Sequence, residues 1–299
     1  IQLRPTASNP RVSTLGKHKL KASARMIAGL RAGLGGDTKL RADCPFSKIV
    51  AGPHGKLLAG RLNRILPELQ DMVLARTQHV DKTILQALRR GLKQVVLVGA
   101  GLDVRAYRYG VDALRATYFE VDLPEMLEER ERVISQLRGP LLKRRLVAMN
   151  FEVQQLHEVL LKTNGFDPQL PTAFVYEGCS MYFDEPTNRR MLLSIQQLMR
   201  HPDSFLWVDY VGDAIVDGTL DHEGIRNFLQ GMEELGECFV FGLEDPGSYM
   251  RSLGFDDVEQ VASSEFFETD DPVCALYRFT VSHCRKAPEI LAVTSDEES

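Results

Sequence analysis

Gln94 to Pro124 reads QVVLVGAGLDVRAYRYGVDALRATYFEVDLP, a strand, a glycine turn, a helix, a second strand and a terminal acid in succession. The β-branched run Val95, Val96 and Val98 enters Gly99 and Gly101. The second strand, Tyr118 to Val121, stops at Asp122, about twenty residues beyond the turn. Glycine lets the backbone approach a ligand where a Cβ would intrude, and a carboxylate at the tip of the neighbouring strand can accept both hydroxyl hydrogens of a ribose. The unit predicts a nucleoside site.

Working outward, strand and helix patterns keep alternating. Strands are expected at Gln94–Val98, Thr117–Asp122, Arg145–Met149, Thr172–Glu177 and Ser204–Tyr210, with helices at Leu102–Arg108, Glu125–Leu137, Glu152–Lys162 and Glu185–Arg200. Repeated units of this kind predict an α/β fold with a mostly parallel sheet and helices on both faces. Near the end, Gly247–Leu253 reads as a helix stopped by Gly254, followed by strands at Asp257–Ala262 and Cys274–Ser282 with no crossover helix between them. That pattern predicts an antiparallel final hairpin. Upstream, Lys21–Arg31, Leu57–Leu66 and Leu69–Leu88 carry helical spacing and are expected to form a cap over the nucleotide module. The expected organisation is one domain over 1–299, with a helical cap to residue 90, a Rossmann-like core over 91–285 and a disordered acidic tail over 286–299. The basic, proline-containing stretch Ile1–Leu20 is expected to lie loosely over the surface.

Composition excludes several classes. Across 299 residues, 44% are hydrophobic and 26% charged, as in an ordinary globular protein, and no apolar run approaches the roughly 18 residues of a membrane span. A net charge of −5 argues against a broad nucleic-acid surface and leaves small polar or anionic substrates open through local charge. Five scattered cysteines without a CxxC pair suggest neither a disulfide framework nor a zinc site, and point to a reducing, cytoplasmic compartment. The chain starts at Ile1 rather than methionine, so an unknown start, including any targeting segment, is expected to have been removed. Oligomeric state is not readable.

The choice of cofactor turns on Val104 and Asp103. A dinucleotide fingerprint wants a third glycine where Val104 stands, and a pyrophosphate would meet the negative charge of Asp103 at the helix start. S-adenosylmethionine carries no phosphate, and its ammonium and sulfonium suit an acidic turn. The turn therefore favours this methyl donor over NAD, which stays as the alternative.

Four segments extend the reading: ARTQHVD (75–81), VLVGAGLDVRAYR (96–108), YFEVDLPEMLEER (118–130) and NGFDPQLPTAFVYEGCSMYF (164–183). In this order they resemble the leucine carboxyl methyltransferase family and its microbial relatives that methylate small molecules, with a likeness running from about Lys21 to Phe279. The resemblance implies a class I methyltransferase fold and S-adenosylmethionine as cofactor. It implies Arg76 at a carboxylate-binding position, Gly99 and Gly101 under the methionine moiety, Asp122 on the ribose and Glu177 near the donor's amino group. Lys21 or Arg25 would supply a further cation to the donor's carboxylate. Where relatives have Asp then Leu against the adenine, this chain has Asn150 and Phe151, a hydrogen-bonding group and an apolar wall.

Read on its own, Glu177 is a carboxylate closing an apolar run at the carboxyl end of the fourth strand, where it needs a partner such as an ammonium. Tyr182, five positions on, lies in the loop expected to line the acceptor side. Arg105 is expected to pair with Asp103 or Glu120 as readily as to serve a cofactor. A carboxylate acceptor is ionised at neutral pH and needs no base, so Arg76 and Tyr182 would only orient it. A hydroxyl acceptor needs a base, to be found in Asp209, His222 or a residue that the sequence does not single out. The first expectation is a methyl ester, on a small molecule or a C-terminal peptide, and the second an ether on a polyketide-like small molecule.

Overall fold

The computed structural model describes residues 22–42, 44–139 and 141–284. Helix α1 covers residues 22–31. It is followed by α2 (Pro45–Ile65) and α3 (Leu69–Arg90), and then by strands and helices in alternation. These are β1 (Gln94–Val98), α4 (Arg105–Arg108), β2 (Thr117–Asp122), α5 (Pro124–Ile134), β3 (Lys143–Ala148), α6 (Leu156–Leu161), β4 (Thr172–Tyr176), α7 (Glu185–Leu198) and β5 (Phe205–Val211). The remaining elements are α8 (Asp213–Val216), α9 (Glu223–Glu234), α10 (Pro246–Ser252), β6 (Asp256–Ala262), α11 (Pro272–Ala275) and β7 (Tyr277–His283).

The strands form one seven-stranded sheet in the order β3-β2-β1-β4-β5-β7-β6. Neighbours from β3 to β5 are parallel, while β7 runs antiparallel to both β5 and β6. The final hairpin is present, with its second strand placed inside the sheet and β6 at the edge. Every residue of β1, β4 and β5 is buried, as strands covered by helices on both faces require. Successive side chains alternate between two cores. Val95, Leu97, Tyr118, Val175 and Trp207 join the face covered by α3, whereas Val96, Val98, Phe119, Phe174 and Leu206 join the face covered by α6 and α7.

Helix α3 is more than a cap. Val80, Ile84 and Leu88 pack in the same cluster as Val95 and Leu97, so this helix is part of the sheet's own covering layer. Helices α1 and α2 cross closely at small residues, and a Cβ on Gly55 would stand 2.3 Å from the Arg25 carbonyl oxygen. Helix α4 begins three residues later than its pattern suggested, because the Asp103 carboxylate accepts the Arg105 N–H at 2.7 Å and holds the preceding turn out of the helix. Helix α9 was not anticipated at all. The stretches 1–20 and 286–299 lie outside the described residues. Among the described residues no helix is long and apolar enough to cross a membrane.

Candidate active site

The strand order reverses between β1 and β4, and open α/β sheets hold ligands at the carboxyl ends of the strands flanking such a point. A cavity of about 610 Å³ opens there, bounded by α1, the start of α3, the loops after β1 to β4, the end of β5, and α9 with the segment that follows it. Its lining carries five acids (Asp103, Asp122, Glu152, Glu177, Glu237) against two bases (Arg31, Arg76), a balance suited to a cationic ligand.

At one end the backbone turns under the cavity. Gly99 has φ +73°, and a Cβ there would sit 2.3 Å from Cys179 Sγ, so only glycine lets the tips of β1 and β4 come this close. Gly101, at φ +46°, donates its N–H to Asp122 Oδ2 at 2.7 Å, and Leu123 donates to Asp122 Oδ1 at 2.7 Å. Asp122 is thereby clamped at the cavity wall with each oxygen able to accept one further hydrogen bond. Burial pushes its carboxyl up, and the two N–H groups only partly offset this. Beside it, Asn150 Oδ1 is engaged by the Glu152 N–H at 2.9 Å, which leaves the amide NH₂ as the group it can offer. Phe151 stands edge-on to Phe183 with centroids 5.9 Å apart, and both line the cavity together with Leu123 and Met126. Asp122, Asn150 and Phe151 are thus brought together on the lining of one cavity.

At the tip of β4 stands a buried ionic cluster. Arg31 Nη2 lies 2.5 Å from Glu177 Oε1, Arg76 Nε lies 2.8 Å from the same oxygen, and Arg105 Nη2 pairs with Glu177 Oε2. Arg105 Nε also meets Asp103 Oδ2 at 2.5 Å. Arg76 Nη1 reaches Asp209 Oδ2 at 3.2 Å and Tyr277 OH at 2.7 Å. Burial alone would push the Glu177 carboxyl up, but Arg31, Arg105 and Arg76 outweigh it and hold the group well below the usual carboxylate range. Burial works against the Arg76 charge too, and Tyr277, Glu177 and Asp209 more than restore it. Three guanidinium groups of this cluster carry an incompletely satisfied N–H, the one on Arg105 being at Nη1, and two of the three arginines line the cavity. Arg31 Nε has no hydrogen-bond partner among the described residues, and Arg76 Nε meets Glu177 without hydrogen-bond geometry. Buried N–H groups left in this state are ready donors to a ligand carboxylate. Orphaned guanidinium N–H groups, a glycine cradle and a clamped carboxylate together fit a nucleoside that carries an amino-acid end.

The other end of the cavity is apolar. Met26, Met72, Met181 and Met232 line it with Phe228 and Phe239, and Tyr182 stands edge-on to Phe239 at 5.4 Å. In this wall Glu237 is buried, at 8% exposure. Its Oε1 accepts the Ser23 hydroxyl of α1, and its carboxylate accepts the Tyr182 hydroxyl. Burial pushes the Glu237 carboxyl up to about 7, and the two hydroxyls restrain it only partly.

Several expected residues stand elsewhere. Lys21 lies outside the described residues. Arg25 turns away from the cavity to Glu129 Oε1 at 2.6 Å and the Val50 carbonyl at 2.8 Å, so it ties α1 to α5 and α2. Arg31, two turns further along α1 on the face of Ala24 and Ile27, is the cation this helix contributes. Helical spacing from the lining residues would have found it. Asp209 is fully buried, gives Oδ1 to the Gly178 N–H at 2.7 Å and shares Oδ2 between Arg76 and Tyr277, so it is a structural anchor rather than a base. His222 caps α9, accepting the Ile225 N–H at 3.1 Å, and its other ring nitrogen meets Asp271 at 2.9 Å outside the cavity. Asp81 anchors Arg108 and Tyr109, and Glu120 anchors Arg130 and Arg144. Arg105 pairs with Asp103, as expected, and with Glu177 in place of Glu120.

This fold, with a cavity at its switch point, defines a class I methyltransferase architecture. Residues 50–196 match the family described as leucine carboxyl methyltransferase. A protein of Mycobacterium marinum named "Putative S-adenosyl-L-methionine-dependent methyltransferase" is 30% identical over 227 residues, covering 72% of this chain and 73% of its own length. A second one from that organism is 35% identical over 134 residues, 44% of this chain and 40% of its own length. One from Mycolicibacterium smegmatis is 30% identical over 194 residues, 64% of each chain. In these last two the chain spans less than two thirds of the relative's length. The chain belongs to the leucine carboxyl methyltransferase family, a family of S-adenosylmethionine-dependent methyltransferases. Among solved structures, a methyltransferase-like protein of Thermobifida fusca superposes with a TM-score of 0.56 at 12% identity, covering 88% of this chain and 94% of its own. A Streptomyces avermitilis protein of the DUF574 family reaches 0.57 at 11% identity, covering 88% and 97%. Both likenesses speak to fold alone.

Proposed function

We propose that this protein transfers a methyl group from S-adenosylmethionine to an oxygen atom of a small molecule. The observation that carries the reading is the pairing, across one cavity, of the clamped Asp122 with the Arg31–Glu177–Arg76 cluster. In this reading Asp122 accepts the ribose hydroxyls, Asn150 and Phe151 hold the adenine, and Gly99 and Gly101 give the methionine moiety room. Arg31 and Arg76 meet its carboxylate, and Glu177 lies near its ammonium. The cofactor supplies a methyl group already activated by its sulfonium. What the chain's residues then have to do is align the acceptor oxygen and exclude water, and positioning of this kind can remove roughly 7–11 kcal/mol from a barrier. The apolar wall around Met72, Met181 and Phe228 serves that exclusion.

Of the two oxygen nucleophiles, the hydroxyl has the better support. A carboxylate acceptor was expected to dock on Arg76, but in this reading the N–H groups that Arg76 and Arg31 have to spare go to the donor's own carboxylate, and the rest of the Arg76 guanidinium faces Glu177, Asp209 and Tyr277. Among the described residues that line the cavity, the other cation, Arg31, is also paired with Glu177. An acidic acceptor, whether a small acid or a peptide C-terminus, would face Glu237 across apolar surface.

Calorimetric titration with S-adenosylmethionine, S-adenosylhomocysteine and NAD tests the cofactor, and binding of NAD alone would overturn the reading. Methyl transfer from isotopically labelled donor to a metabolite extract tests the chemistry. A labelled product stable to mild alkali is expected, and an alkali-labile one would return the assignment to an ester.

A further inference from the structure

We infer that Glu237 is the general base of this site and that the acceptor is a neutral, largely apolar molecule bearing a hydroxyl, of which a phenol is the simplest form. The inference rests on the methyltransferase reading above and adds to it a catalytic residue and a substrate class. Glu237 is the carboxylate at the apolar end of the cavity, held at its wall by hydroxyls from two separate elements, Ser23 on α1 and Tyr182 on the turn after β4. Neither partner carries a charge that would stabilise the anion as the arginines stabilise Glu177. A carboxylate placed against methionines and phenylalanines pays a desolvation cost unless a proton can be taken up. That gives Glu237 a basicity matched to neutral pH, since burial raises it to about 7. The four methionines form an adaptable wall that accepts a flat or irregular apolar body without demanding a single shape.

The step balances without any further reactant. The acceptor O–H bond breaks and its proton passes to Glu237 as the oxygen's electron pair forms the new O–CH₃ bond. The C–S bond breaks in the same displacement, and its pair stays on sulfur, which becomes a neutral thioether. The proton on Glu237 is then lost to solvent. The groups facing Glu237 do not confuse its titration. Tyr182 is pushed well above its ordinary value by burial and Glu237, Cys179 behind it is pushed up by burial and nearby acids, and Arg76 stays cationic.

The test uses the full chain saturated with S-adenosylhomocysteine and titrated at pH 6 and pH 8 with two probes of one shape, 2-naphthol and 2-naphthoate. Naphthol is expected to bind at least about tenfold tighter than naphthoate, and tighter at pH 8, where the ionised carboxylate makes the stronger charge-assisted hydrogen bond. In Glu237→Gln the pH dependence should vanish while S-adenosylhomocysteine affinity stays within about twofold, a sign that the fold is kept. With S-adenosylmethionine in place of its product, naphthol should be methylated, and the variant should lose about 10²–10⁴-fold in kcat with little change in KM. Preference for naphthoate, binding of neither probe, a bound naphthol that is not methylated, or an unchanged pH dependence in the variant would each overturn the inference. Failure of the native protein to bind S-adenosylhomocysteine would instead overturn the methyltransferase reading beneath it.

Discussion

Replacing Glu177 by glutamine keeps the side chain's size and removes one charge from the most heavily loaded point of the site. Three guanidiniums, from Arg31, Arg76 and Arg105, converge on this carboxylate, whose side chain is 5% exposed. Asp103 and Asp209 complete a balance of three acids to three bases. In Glu177→Gln one positive charge is left uncompensated in a buried setting. Removing one partner of such a group costs about 3–5 kcal/mol. At about 2–4 °C per kcal/mol, this lowers Tm by roughly 6–20 °C. The pH dependence has a definite sign. The folded-state value of Glu177 lies well below its unfolded one. Its stabilisation is therefore complete above the unfolded value of about 4.3 and is lost progressively as pH falls from there towards the folded value. Thermal melts of both proteins at pH 7 and through the acid range measure the effect. A Tm at pH 7 within about 2 °C of the native protein would refute the idea that this carboxylate holds three buried cations together.

Asp122→Ala removes the acceptor for two backbone N–H groups and, in the proposed reading, for the ribose, and should weaken S-adenosylhomocysteine binding by about 1–3 kcal/mol, roughly 5–150-fold in Kd by calorimetry; unchanged affinity would take the residue out of the site. Gly99→Ala should destabilise the fold by about 2–5 kcal/mol in denaturant titration, through a strained φ and a Cβ that meets Cys179 Sγ at 2.3 Å. Adding Cys179→Ala should recover part of that loss but not all, and full recovery would show that the backbone conformation carries no cost. Glu237, raised to about 7 by burial, takes up a proton on folding between its unfolded value of about 4.3 and pH 7, so native stability should fall as pH rises through that window. Glu237→Gln should escape this loss and gain up to about 3 kcal/mol on the native protein between pH 4 and pH 8, and a constant difference in melting temperature would contradict the raised value.

The strands were legible because burial on both faces writes them as β-branched runs closed by glycine or an acid. β1 and β2 fall on the expected residues for that reason. The last strand was expected from Cys274 and begins at Tyr277 instead, because Asp271 accepts the Val273 N–H at 2.9 Å and starts the short helix α11. Helix α9 carries Ile225, Phe228, Leu229 and Met232 at i, i+3, i+4 and i+7, so its apolar stripe was written in the sequence although the expected elements passed over it. In the site, Gly99, Asp122 and Glu177 were legible because they sit where a strand's period breaks. Arg31 and Glu237 were not. Arg31 looks like any charged residue on a helix until Glu177, 146 positions away, is seen to face it, and Glu237 gains its character from Ser23, 214 positions away, and from apolar walls assembled by several elements. Arg25 was the more tempting cation by position, but its side of α1 faces α5.

The insertion of β7 between β5 and β6 ties the cavity to the order in which the polypeptide is made. Tyr277, the first residue of that strand, reaches both Arg76 and Asp209 with its hydroxyl. The glycine turn around Gly99 leaves the ribosome early, while the tether that steadies the cavity's arginine emerges some 180 residues later. A nascent chain can therefore assemble the parallel half of the sheet before it has a finished pocket. Competence to load cofactor should appear only once this late strand has slotted home.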